Sequence, residues 1–157
     1  MREPPLTQPV TRDQTSVLGW TRSPGQNVLL VGSSNYEDGL ALGSCVRQFE
    51  FAAKTVNDSI GGRESSTGPL SLADVDGDGV LDLFVGGRVL PAKYPRAASS
   101  ALYRFDGGKL EADTENTKRL SGIGLVSGAV FSDLDGDGDP ELILACDWGP
   151  VRIYLNE

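Results

Sequence analysis

Ten residues in two short stretches carry the chemistry that this chain can do. The first stretch reads Asp74-Val75-Asp76-Gly77-Asp78-Gly79-Val80-Leu81-Asp82, and the second reads Asp133-Leu134-Asp135-Gly136-Asp137-Gly138-Asp139-Pro140-Glu141. Both fit D-x-D-x-D-G-x-x-[DE], and they begin 59 positions apart, at 74 and at 133. Carboxylates at alternate positions, with glycine permitting the tight turn, wrap oxygen atoms around one hard cation. Such closely spaced charges repel one another unless a positive ion sits among them. In the first loop the expected side-chain ligands are Asp74, Asp76, Asp78 and Asp82, with the Val80 carbonyl as a fifth oxygen. In the second they are Asp133, Asp135, Asp137 and Glu141, with the Asp139 carbonyl. Water would complete the roughly six to eight oxygens that Ca²⁺ prefers, whereas Mg²⁺ demands a strict octahedron and holds its waters. The expected cofactor is therefore Ca²⁺, at two sites. Asp-Gly pairs also make good hairpin turns. Turn chemistry explains one such pair, but not two copies with acids at positions 1, 3, 5 and 9.

The flanks show what must position these loops. Leu70-Ser-Leu-Ala-Asp74 leads into the first loop, and Leu81-Asp-Leu-Phe-Val-Gly86 leads out of it. Gly128-Ala-Val-Phe-Ser-Asp133 leads into the second, and Glu141-Leu-Ile-Leu-Ala145 leads out of it. These are apolar runs of strand length, so each acidic loop is expected to join a β-hairpin. An EF-hand would need flanking helices and a glutamate at loop position 12. Position 12 is Val85 in one loop and Leu144 in the other, and both belong to the following strand.

Composition agrees with a turn-rich β protein. The 157 residues suffice for one domain with a real core, and 39% of them are hydrophobic, with 20 glycines and 9 prolines. The formal charge is −8, and two bound Ca²⁺ would halve it. The acidity is concentrated in the loops and argues against nucleic acid and anionic membranes as partners. There is no histidine, which removes the commonest general base and the usual zinc ligand. No run approaches the length of a membrane span. Met1-Arg-Glu-Pro-Pro5 lacks the apolar core of a signal peptide, so the chain is either cytoplasmic or cut from a longer exported precursor. Cys45 and Cys146 belong to no CxxC pair; a disulfide and two buried thiols both remain open.

The loop-bearing unit repeats. Asn27-Val-Leu-Leu-Val-Gly32 aligns with Leu81–Gly86 and Glu141–Ala145. Gly19–Gln26 stands where an acidic loop would be, but it has no acids and should bind no ion. Third strands are expected at Cys45–Phe51, Ala101–Phe105 and Val151–Leu155. Outer strands are expected at Lys54–Asn57 and Lys109–Ala112, with none in the last unit. Four-stranded units of this length with a repeated turn motif are the signature of a β-propeller. The expected fold is all-β, a partial β-propeller of two to three four-stranded antiparallel blades. Residues 1–15 form an extended segment, 16–60 a degenerate blade, 66–115 a blade with a calcium loop, and 121–157 an incomplete blade with a calcium loop. A closed ring needs about four blades or more. The chain is thus expected to be a fragment of a larger protein or to complete itself as a homo-oligomer, with Leu6–Thr11 as a candidate for the missing strand.

The string Leu72-Ala-Asp-Val-Asp-Gly-Asp-Gly-Val-Leu-Asp-Leu-Phe-Val-Gly86 resembles an FG-GAP/VCBS repeat, whose calcium loop integrin α-subunits use in their propellers. Phe131–Cys146 is similar. Gly32–Asp38 and Trp148–Tyr154 resemble bacterial relatives of cartilage acidic protein. The resemblance implies an extracellular or periplasmic setting and a role as a scaffold for protein interaction or adhesion. The alternative is a carbohydrate-binding, lectin-like or polysaccharide-lyase-associated propeller. No G-x-S-x-G, paired catalytic acids or phosphate-cradling loop appears, so no enzyme activity is expected. Arg88, Lys93, Tyr94 and Arg96 make one long connection basic and aromatic. Trp20 and Trp148 serve either as sugar platforms or as packing residues.

Overall fold

The computed structural model describes residues 3–157. Met1 and Arg2, part of the stretch expected to be extended, lie outside the described residues. Among the described residues are eleven strands and one six-residue helix. The first sheet runs β1 (Gln14–Ser23), β2 (Gln26–Ser33), β3 (Ser44–Glu50) and β4 (Thr55–Gly61) in that spatial order. The second runs β5 (Ser66–Ala73), β6 (Asp82–Val89), β7 (Ala101–Asp106) and β8 (Lys109–Ala112). Helix α1 (Thr114–Arg119) follows. The third sheet has β9 (Leu125–Ser132), β10 (Glu141–Asp147) and β11 (Arg152–Tyr154). Every pairing within them is antiparallel, so the protein is all-β and each sheet is a simple meander.

The second strand of each sheet is paired on both edges, and its sequence suits that place. Central strands covered on both faces need an unbroken apolar run rather than alternation. In β6, Leu83, Phe84 and Val85 are all fully buried. Leu83 and Val85 join Trp20, Val28, Leu30, Val46 and Ile60 between the first and second sheets. Phe84 points the other way and joins Leu102, Val126, Leu142 and Leu144 between the second and third. The first strands lie side by side, β5 touching both β1 and β9. Gly87 lets the β6–β7 connection approach β6, since a Cβ there would collide with the Ser99 carbonyl.

Some local structure departs from expectation. Gly19–Gln26, aligned with the acidic loops, is mostly strand, and β1 and β2 close through Pro24-Gly25, with Gly25 at φ +81°. Without repelling acids to accommodate, proline followed by left-handed glycine makes a two-residue turn sufficient. Residues 4–8 form turns rather than an extended strand, and the chain joins the sheet at Gln14. Arg47 donates to the Pro9 carbonyl at 3.3 Å, holding this segment against the first sheet. Helix α1 has no counterpart in the expected order of strands. Asp113 caps it by accepting from the Asn116 N–H at 3.0 Å, and Thr117 Oγ1 bonds both the N–H and the carbonyl of Leu102. Cys45 and Cys146 are free thiols in different clusters, one buried and the other half-buried.

Candidate metal centre

Both acidic loops connect the first and second strands of a sheet, so they emerge at corresponding ends of neighbouring hairpins. Gly77, Gly79, Gly136 and Gly138 all have positive φ, between +73° and +99°. That backbone lets alternate carboxylates turn toward the inside of the loop.

In the second loop Asp133, Asp135 and Glu141 each offer an oxygen, and these lie within 4.8 Å of one another. Asp133 accepts from the N–H of Gly136 at 2.7 Å and of Gly138 at 3.1 Å. Asp135 accepts from Asp137 N–H at 3.3 Å, and Asp137 from Asp139 N–H at 2.9 Å. Asp137 and Asp139 remain outside the converging set. Glu141 starts β10 and is fully buried. Its Oε2 accepts from Leu134 N–H at 2.7 Å, whereas its buried Oε1 has no partner. A buried carboxylate oxygen without a partner is costly. Two further carboxylates close by make a cation the matching partner. The Asp137 N–H lowers the Asp135 pKa, but burial and the charges of Asp137 and Glu141 outweigh it and leave it raised.

The first loop differs. Asp74, Asp76 and Asp78 converge within the same 4.8 Å. Asp74 accepts from Asp78 N–H at 3.1 Å and Gly79 N–H at 2.8 Å, and Asp78 accepts from Val80 N–H at 2.7 Å. Asp82, the counterpart of Glu141, is buried but stays outside that set. Its oxygens accept from Val75 N–H at 3.3 Å and Phe105 N–H at 3.2 Å. Burial raises its pKa and, with the charge of Asp76, prevails over those bonds and the nearby Arg104. Arg104, on β7, is ion-paired with Asp76, lies 3.9 Å from Asp82 and donates from Nε to Asp113 at 3.0 Å. Burial opposes its charge, but Asp113, Asp76 and Asp82 outweigh it and hold the pKa above its ordinary value.

The donor sets fit a hard, oxygen-preferring divalent ion. The fit is better in the second loop, where a buried oxygen lacks a partner. The Val80 and Asp139 N–H groups both bond back into their loops. Sequence reading missed Arg104 and Asp113. The signal was present in Arg104-Phe105, where the last repeat has Leu155-Asn156.

The remaining candidates separate clearly. Trp20 is buried edge-on against Phe105, ring centroids 4.8 Å apart, with the Arg22 guanidinium over both rings. Trp148 is 88% exposed at φ +58°, and its indole N–H donates to Tyr94 Oη at 2.5 Å. The basic connection is partly neutralised: Arg88 pairs with Asp147 at 2.5 Å and Lys93 with Glu64 at 2.6 Å. Among the described residues no helix is long and apolar enough to cross a membrane. Neither a family model, nor a curated protein, nor a solved structure matches the chain.

Proposed function

We propose that the chain is a calcium-binding β-propeller module that serves as a scaffold for protein interaction or adhesion. The observation that carries the calcium reading is the unpartnered, fully buried Glu141 Oε1 beside Asp133 and Asp135. A positive ion is the chemical partner these groups lack. Asp133, Asp135 and Glu141 would hold it, and the ion would supply charge compensation that stiffens the hairpin. The propeller reading is supported by three stacked meanders whose first strands adjoin. An extracellular or periplasmic setting suits it, because extracellular calcium modules have Kd of about 10⁻⁴–10⁻³ M. An ion that binds only the folded state adds RT ln(1 + [L]/Kd), roughly 1–2 kcal/mol per site near 2 mM calcium. The melting temperature should therefore rise by several degrees between EDTA and millimolar calcium. Equal melting temperatures would contradict the reading.

A second reading, a carbohydrate-binding module, is favoured by Trp148. A bulky residue at positive φ is strained, yet this one presents its ring to solvent, held by Tyr94. Specific retention on a glycan array, lost in Trp148→Ala, is the result this reading requires. A blank array leaves the protein-interaction reading.

A further inference from the structure

We infer that Arg104 is a tethered counter-cation of the Asp74 loop, which calcium must displace, so that the two loops fill at different calcium concentrations. This rests on the reading of both loops as calcium sites and adds an order between them.

Strand register identifies the difference. Leu83 pairs with Tyr103, and its counterpart Leu142 pairs with Tyr154. One residue further on, the second sheet has Arg104 and the third has Leu155. Arg104 pairs with Asp76 and stands beside Asp82. Among the described residues, no lysine or arginine is ion-paired with Asp133, Asp135, Asp137, Asp139 or Glu141. The glutamate of that loop has an oxygen without a partner, whereas both oxygens of Asp82 accept backbone N–H bonds. The Asp133 loop thus has unopposed charge, and the Asp74 loop carries its own cation.

A guanidinium and a divalent ion on the same carboxylate repel one another, and at contact distance this lowers ion affinity by about tenfold or more. Arg104 need not leave altogether. Its Nε is bonded to Asp113, which also caps α1. Arg104 and Asp76 line one open crevice with Glu115, Arg119 and Asp139, so rotation about that anchor would free Asp76 while the guanidinium stays within the crevice. The Asp133 loop then fills first, and filling of the Asp74 loop is coupled to the position of Arg104 beside the helix.

Calorimetric titration of the full chain with CaCl₂ tests this. The wild type should show two steps about tenfold or more apart. Asp135→Ala should remove the tighter one. In that background Arg104→Gln should tighten the remaining site about tenfold, whereas Arg104→Lys, which keeps the charge, should leave it weak. Arg104→Gln should also lower the melting temperature in EDTA and regain it in calcium. Unchanged or weaker binding in Arg104→Gln overturns the inference while leaving two calcium sites intact. No binding in the wild type overturns the calcium reading itself. If Arg104→Gln does not fold, the wild-type and Asp135→Ala titrations decide: two equal steps, or loss of the weaker one, contradict the inference.

Discussion

Glu141 and Asp82 occupy the same position of the repeated motif, and one methylene separates their fates. The longer side chain keeps one oxygen bonded to Leu134 N–H and leaves the other unpartnered beside Asp133 and Asp135. The shorter one satisfies both oxygens with backbone N–H groups. Sequence spacing placed both among the ligands. It could not reveal which carboxylates the backbone amides would claim, because those amides come from β7 and from the loop's own turn. Glu141→Gln should remove calcium binding by the Asp133 loop. In EDTA it should melt no lower than the wild type, because it relieves a crowded negative charge while keeping an acceptor for Leu134 N–H. Calorimetry and melting curves in EDTA check both halves. A large destabilisation in EDTA would show that the carboxylate is structural without an ion.

Among the elements, the apolar runs 81–86 and 141–145 are legible as β6 and β10 because a strand covered on both faces needs such a run. Helix α1 was not legible, since Thr114–Arg119 has no buried residue and no apolar period. Its order comes from the Asp113 cap and from packing on β7. Burial raises the Asp113 pKa, but bonds from Asn116 and the charge of Arg104 outweigh it and leave it lowered. A depressed carboxyl pKa contributes stability above its unfolded value near 3.9, lost as pH falls through the folded value. Asp113→Asn keeps the cap acceptor but not the titration. Acid melts should therefore fall less steeply in the variant below about pH 4; parallel curves would contradict this. Phe84 fills the space between the second and third sheets, and Phe84→Ala should cost about 3–5 kcal/mol in chemical denaturation. A loss under about 1 kcal/mol would mean the sheets do not pack as described.

For the whole molecule, stacking repeats in one direction. The Leu30 face of the first sheet and the Phe84 face of the second are each covered by the next sheet. On the third sheet, Ile143 pairs with Val130 and Ile153, both about half exposed at 52%. An apolar row of this kind favours association. Light scattering at micromolar concentration in calcium should give a mass above one 16.6 kDa chain, reduced by Ile153→Lys. A clean single-chain mass for the wild type would contradict it. Glu141 Oε1 is proposed to face a calcium ion, and a crystal structure grown in millimolar calcium would show that ion. The predicted result is ion density bounded by Asp133, Asp135 and Glu141, with oxygens at about 2.3–2.6 Å. Glu141 Oε1 bonded to water or protein alone, with no ion in that loop, would contradict it.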